Sequence, residues 1–409
     1  MSVELRYGEG EVLRLELSPE AIVADGSRPR GIPLDDPASA VVAALADPLG
    51  FPSFSRAVVP GDLVALALER GVPQTPSVVA GAVHAVLDAG AKAADITVAL
   101  APDSTEESAR SAISQLPPDV RRRVNVTVHD PNRADDCCYL AASKDGKPVY
   151  FNRRVCEADV VLPITTLRLE QSLGYAGILS GLFPTFSDDA TRQRFRAPTT
   201  ADWSAHQKRR RDEADEAAWL LGVQCSLHVA PGPGNSVLHV LAGDARAVAA
   251  KGRPLCEAAW LHRAPGRASL VVATIEGGPD QQTWENFARA LFAASHAVTD
   301  GGAIVICTNL CRAPGPALMQ LAAATDTIDE VQRNLRRERS EDAISATLLV
   351  NAQQRAQVYL LSGLDSDVVE DLGLGHVSDG GDVRRLSQPH RSCILLGSAQ
   401  FAMFAAGDE

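Results

Sequence analysis

Short apolar runs bounded by turn residues recur along the first 130 positions, and the stretches between them carry helical spacing. VALAL closes a predicted strand over 62–68, after the turn pair Pro60 and Gly61. A loop over 70–76 follows, then a helix over 77–89 with Ser77 as its expected N-cap. Strand 95–100, helix 104–116 and strand 124–128 come next, the last running out into His129, Asp130 and Pro131. Such β-α-β-α-β alternation predicts parallel strands joined by right-handed crossovers in a doubly wound sheet. Ahead of this unit, residues 2–17 read as two short strands around Gly8 and Gly10, and 36–47 as a helix.

The alternation changes at 159–164, a buried strand emptying into a segment studded with Gly174, Gly177 and Gly181 and ending at Pro184. Glycine permits close backbone approach, so a strand opening into such a loop marks a place where α/β proteins seat ligands. Residues 204–221 read as a helix, 225–230 and 235–243 as strands, and 245–261 as an alanine-rich helix. A linker over 263–267 then precedes a second α/β unit: strand 268–275, a Gly277-Gly278-Pro279 turn, helix 281–298 and strand 303–307. The expected organisation is therefore a first unit over 1–264 and a second over 265–389, with the tail 390–409 returning to the first.

Composition narrows the class. The 409 residues are 45% hydrophobic and 22% charged, with a formal net charge of -12, which fits a globular protein large enough for two domains. Basic runs are short; Arg121-Arg122-Arg123 and Lys208-Arg209-Arg210-Arg211 read as solvated faces, so no nucleic-acid partner is expected. No apolar run reaches the roughly 18 residues that span a bilayer, and the N-terminus lacks a signal-peptide pattern, so the reading is cytoplasmic with no membrane partner. Eight cysteines are scattered without a CxxC pair, and no metal site is expected from them.

No phosphate-binding P-loop, dinucleotide fingerprint, GxSxG elbow or HExxH motif occurs. What remains are the loops after the predicted strands, over 69–76, 101–105, 129–136, 165–184 and 276–282. In a parallel sheet these gather on one edge, the usual ligand edge.

Several stretches, in order, carry a resemblance. They are Tyr7, Gly8 and Gly10, PGDLVALAL at 60–68, LDAGAKAADITVALA at 87–101, VHDP at 128–131 and GKPVYFNRRVCEADVVL at 146–162. GYAGILSGLFP at 174–184, HVLAGDARAVAAKG at 239–252, GGPDQQTWENFARAL at 277–291 and AVTDGGAIVIC at 297–307 complete the set. Together they resemble the nickel-pincer lactate racemase family over most of the chain. The resemblance implies two α/β domains with parallel-rich sheets and an interdomain cleft. It also implies racemisation of 2-hydroxy acids by hydride transfer to a nickel-pincer nucleotide, anchored through a lysine, with histidines as nickel ligand and proton carriers. Carried over position by position, the lysine falls on Ser180 and one histidine on Glu170. A second histidine is missing from ALAPDST, where Asp103 stands nearest, and the nickel histidine falls near Phe195 or Arg196. The glutamine and lysine of the second domain fall on Asn286 and Arg289, and Arg70 is the one cation of the loop that meets anionic groups.

Serine offers no amine for a thioamide, and the imidazoles are gone, so the expectation is a fold kept without the nickel-pincer chemistry. The cofactor is expected not to bind, while Arg70, Ser180, Asn286 and Arg289 line a cleft that takes a small anionic molecule. The alternative is an isomerase, a racemase or epimerase of a 2-hydroxy acid or polyol, using Asp103 and Glu170 as acid and base; two crowded carboxylates push one pKa upward. His129 is expected to be a satisfied structural histidine. Cys137 and Cys138, expected in a loop beside Asp135 and Asp136, sit where negative charge raises a thiol pKa, which disfavours nucleophilic catalysis.

Overall fold

The computed structural model describes all residues but 29, 170–176, 198–202, 323–327 and 408–409. Strands in chain order are β1 (Ser2–Tyr7), β2 (Glu11–Glu16), β3 (Ile22–Gly26), β4 (Val64–Leu68), β5 (Ile96–Leu100), β6 (Asn125–Val128), β7 (Cys137–Ala142), β8 (Pro148–Asn152) and β9 (Val160–Thr166). They continue as β10 (Ser226–Pro231), β11 (Val237–Gly243), β12 (Leu261–Ala264), β13 (Ala268–Thr274), β14 (Val298–Cys307), β15 (Ala356–Leu361), β16 (Gly375–Val377), β17 (Cys393–Leu396) and β18 (Met403–Ala406). Two six-stranded sheets carry the architecture, ordered β11-β10-β9-β4-β5-β6 and β16-β15-β14-β13-β17-β3. All pairings in them are parallel except β10 with β11.

Parallel strands covered on both faces must be apolar throughout, and β4, VALAL, is buried at every position. One face of the first sheet packs on helices Pro37–Ala46 and Thr75–Asp88, which meet closely at Gly81; a Cβ there would come within 2.4 Å of the Ala38 carbonyl oxygen. Asp36 caps the first of these helices by accepting from the Ser39 amide at 3.0 Å. The other face buries Phe151, Phe183, Phe186 and Phe195 together with Ala214, Ala217 and Ala218 of helix Trp203–Leu220. In the second sheet, helices Trp284–Ala297 and Ala343–Gln353 cover one face.

Its opposite face is covered from the far end of the sequence. Hairpin β1–β2 alternates inward and outward, and its inward Val3, Leu5, Leu13 and Leu15 pack on Leu270, Val272, Val305 and Leu395. Strand β3 extends the same sheet by pairing with β17. Residues 2–26, read from sequence as part of the first unit, thus belong structurally with the second. The apolar outer face of that sheet has to be covered, and alternation in a hairpin says which side is apolar, not which sheet it meets. The tail likewise divides: β17 lies inside the second sheet, whereas β18 pairs with β12 and Phe401 stacks near Trp260 at 5.5 Å between ring centroids.

Local departures have local causes. Helix Thr75–Asp88 begins before Ser77: Gln74, in the left-handed region at φ 50°, is its N-cap, Pro76 sits in the first turn, and Ser77 is buried inside. Cys137 and Cys138 lie in β7, not in a loop, because the segment finds an antiparallel partner in β8. The basic run at 208–211 is not wholly solvated; Arg210 is buried and donates to the Ala197 carbonyl at 2.8 Å. Arg263 and Ala264, read as the start of a linker, fall in β12 (Leu261–Ala264).

Candidate functional site

In the first sheet the chain winds outward from β4 through β5 to β6, then returns to place β9 on the other side of β4. That reversal opens a crevice at the carboxyl ends of β4 and β9, the position where open α/β sheets bind ligands. Glu69 and Arg70 leave β4 there, and Leu167 and Arg168 leave β9. The second sheet has a matching reversal between β13 and β17, but it is filled: Ser398 donates to the Glu276 carboxylate at 2.9 Å and the Gln400 amide to the Glu276 carbonyl at 2.6 Å. The first crevice instead opens into a cleft of about 1120 Å³ between the two sheets' units, closed on the far side by the N-terminal part of helix Trp284–Ala297 and by residues 312–316 and 340–345.

Arginine dominates this cleft. Arg70, Arg168 and Arg289 form its floor; Arg192 and Arg196, from helix Asp189–Arg196, form part of its rim. Among the described residues, Arg70 Nε, Arg168 Nε and Nη1, and Arg289 Nε are buried without a hydrogen-bond partner. Buried donors are ordinarily paired, so four orphaned guanidinium nitrogens beside one cavity are a departure from the rule. Burial, and then the like charge of Arg289, bring the Arg168 pKa down to about 10; its guanidinium also lies over the Phe401 ring at 5.4 Å.

Two acids share the floor and are driven apart. Glu69 accepts from the Thr166 amide at 2.7 Å; burial raises its carboxyl above the usual range, against the pull of Arg168 and Arg289. Glu285, open to the cleft, is held below the usual range, first by Arg289, with Arg168, Arg70 and Arg196 adding to it. Arg289 is the hinge of this group: it pairs with Glu285 and donates to Asn286 Oδ1 at 2.8 Å. At the rim, Arg192 and Arg196 both engage one oxygen of Glu341 from the second unit, the Arg192 contact being 3.1 Å.

The sequence-derived candidates fare unequally. Arg70, Ser180, Arg289 and Asp103 line the cleft. Asp103 holds a left-handed φ of 65° at the exit of β5, and its charge acts on Arg192. Asn286 does not reach the cleft: it is buried, its amide donates to the Gln281 carbonyl and side chain at 2.8 and 2.9 Å, and its oxygen holds Arg289. It positions Arg289 and contacts no ligand space. Glu170 lies outside the described residues, as does Gly174. Gly181 presses the loop against the strand ends; a Cβ there would meet Thr165 Cγ2 at 2.4 Å and Glu69 Cβ at 3.1 Å. His129 accepts from or donates to its neighbours at both ring nitrogens, 2.8 Å to the Ser187 carbonyl and 3.1 Å to the Asn152 amide, and burial depresses its pKa. It stands beside a side pocket of about 410 Å³ that the cleft shares through Asp103, Arg192, Arg196 and Glu341.

Arg168, Arg192 and Glu69 were not singled out from sequence. The legible signal was a lone arginine directly after an apolar parallel strand, in LPITTLR, and the i, i+4 arginines of TRQRFR. Cys256 also lines the cleft, but burial pushes its thiol up to about 12, so it is no nucleophile.

The nickel-pincer nucleotide does not suit these residues. Lysine and histidine are absent from the described lining, and the segments at 170–176, 198–202 and 323–327 contain neither. An amine to anchor the group and imidazoles to ligate a metal and carry protons are therefore missing, and among the described residues no cluster of three or more His, Cys, Asp or Glu could hold a metal ion. No helix among the described residues is long and apolar enough to cross a membrane.

No curated protein matches the sequence. The lactate racemase apoprotein from Thermoanaerobacterium thermosaccharolyticum superposes with a TM-score of 0.78 at 16% identity, covering 99% of this chain and 100% of that one. A protein from Thermotoga maritima superposes with a TM-score of 0.66 at 13% identity, over 92% of this chain and 100% of that one. The two likenesses share the fold of the whole chain, and residues 7–207 match the family described as the lactate racemase N-terminal domain. Those residues, which carry β4, β9 and most of the cleft floor they open, are thus similar to the lactate racemase N-terminal domain, within a chain that shares the fold of the lactate racemase apoprotein.

Proposed function

We propose that this protein binds a small anionic molecule in the interdomain cleft and does not perform nickel-pincer racemisation. The observation that carries the reading is the trio Arg70, Arg168 and Arg289, with buried donor nitrogens left without partners among the described residues. Holding a guanidinium in a dry site costs several kcal/mol unless an anion compensates it. Glu69 and Glu285 compensate in part, two carboxylates facing three guanidinium groups. The floor is thus short of negative charge, and a carboxylate or phosphate entering it supplies both the charge and the acceptors. A cytoplasmic location belongs to the same reading, supported by eight cysteines that all remain unpaired.

A second reading keeps an isomerase in the cleft, acting on a 2-hydroxy acid or polyol. It is favoured by carboxyl groups pushed in opposite directions, Glu69 up and Glu285 down, and by the left-handed backbone of Asp103 at the cleft wall. Asp103 and Glu170 are the acid and base of that reading.

Calorimetric titration of the full chain with inorganic phosphate and with lactate at low salt tests the first reading. Binding that weakens as salt rises is expected; no heat with either anion at millimolar concentration would defeat it. Proton exchange from the α-carbon of lactate into heavy water, followed by NMR, would instead favour the second.

A further inference from the structure

Besides the floor trio, the cleft carries a pair of neighbouring guanidinium groups. At the rim, Arg192 and Arg196 lie one turn apart on the same helix face and converge on a single carboxylate oxygen of Glu341. Their surroundings are unequal. The arginine side chains are 11% and 19% exposed, whereas Glu341 is 49% exposed. The cations are the fixed, buried partners, and the carboxylate reaches in from a surface segment of the second unit. Two like charges held side by side need an anion between them, and Arg196 indeed lowers the pKa of Arg192. Glu341 therefore sits as a tethered carboxylate on a preformed two-arginine seat, where a free one could replace it.

Floor and rim belong to one site. Both line the same cavity, and the field of Arg196 reaches Glu285, which is held by Arg289, Arg168 and Arg70. A cavity of about 1120 Å³ has room for a molecule spanning the two seats. We infer that the ligand is a short dianion, with one anionic group on Arg70, Arg168 and Arg289 and the other displacing Glu341 from Arg192 and Arg196. This rests on the anion-binding reading above and adds the second charged end. Dicarboxylates and phosphorylated carboxylates share the required chemistry.

The test compares propionate, succinate and 3-phosphonopropionate by calorimetry on the full chain. Succinate or the phosphonate is expected to bind about tenfold tighter than propionate or better, the preference between them identifying the second group. Glu341→Gln, at an exposed position, is expected to tighten the dianions about three- to tenfold more than it tightens propionate, because only a dianion gains the freed rim seat while holding the floor. Arg196→Gln should erase the dianion preference. Propionate binding as tightly as succinate, or Glu341→Gln shifting all three ligands alike, would overturn the two-seat inference and leave single-anion binding standing. Silence from all three ligands would overturn both.

Discussion

Arg168→Met removes the charge from the middle of the floor and keeps an unbranched apolar stem. In the wild type the guanidinium is displaced from 12.5 to about 10, mainly by burial. That difference corresponds to about 3 kcal/mol of penalty on the charged form at neutral pH. A methionine avoids it and still packs against Phe401. Set against this, Glu69 loses its largest compensating charge, but its carboxyl is already raised and can respond by taking up a proton. The expected net result is a protein unchanged or up to about 2 kcal/mol more stable in urea unfolding, as when a buried charge gives way to an apolar side chain. Anion binding should move the other way, weakening by about 1.5–3 kcal/mol, roughly ten- to more than hundredfold, since a charge-assisted hydrogen-bond donor is gone. Calorimetry with phosphate and urea unfolding on the same preparation read the two effects. A variant that loses more than about 2 kcal/mol of stability while binding phosphate as before would refute the reasoning, and would make Arg168 a structural counter-ion of Glu69.

Two further perturbations test the scaffold. His228, between the hydroxyls of Thr165 and Ser226, and His262 are pushed by burial to about 3 and about 4, so between those values and about 6.5 the unfolded chain binds more protons than the folded one and stability rises with pH. Lowering the pH from 7 to 4 should cost several kcal/mol, roughly 3 from each histidine, and a urea midpoint whose pH slope is unaltered in His228→Asn would contradict this assignment. Gly181→Ala places a methyl 2.4 Å from Thr165 Cγ2 and 3.1 Å from Glu69 Cβ, so a loss of about 1–3 kcal/mol with weakened phosphate binding is expected; a silent substitution would mean the loop does not press on the strand ends.

The sheets were legible because their strands are buried on both faces, and continuous apolar runs such as VALAL announce that directly. The ligand edge followed from parallel alternation, whereas Arg70, Arg289 and Asp103 came from the family resemblance, and all three line the cleft. Arg168 escaped because one arginine after a strand is indistinguishable from a solvated loop residue until the strand order places it at the reversal beside β4. The Arg192 and Arg196 seat escaped because its acid partner is about 150 positions away, and no local pattern pairs Arg192 with Glu341. Asn286 was read as a ligand contact because the resemblance aligns it with a family glutamine, and only packing shows that Gln281 occupies its amide.

Strand β3 and the hairpin before it have a consequence for how this chain can be made. Translation makes them before the strands they pair with or cover, β13, β14 and β17, the last of which ends at residue 396. Throughout that interval Val3, Leu5, Leu13 and Leu15 have no native surface to bury against, and β3 presents an unpaired edge. The two halves therefore cannot be separated at residue 265 into pieces that each complete themselves: a fragment starting there lacks one edge strand and the cover of a whole sheet face. Residues 2–26 wait for a unit that is built after them and then become part of it.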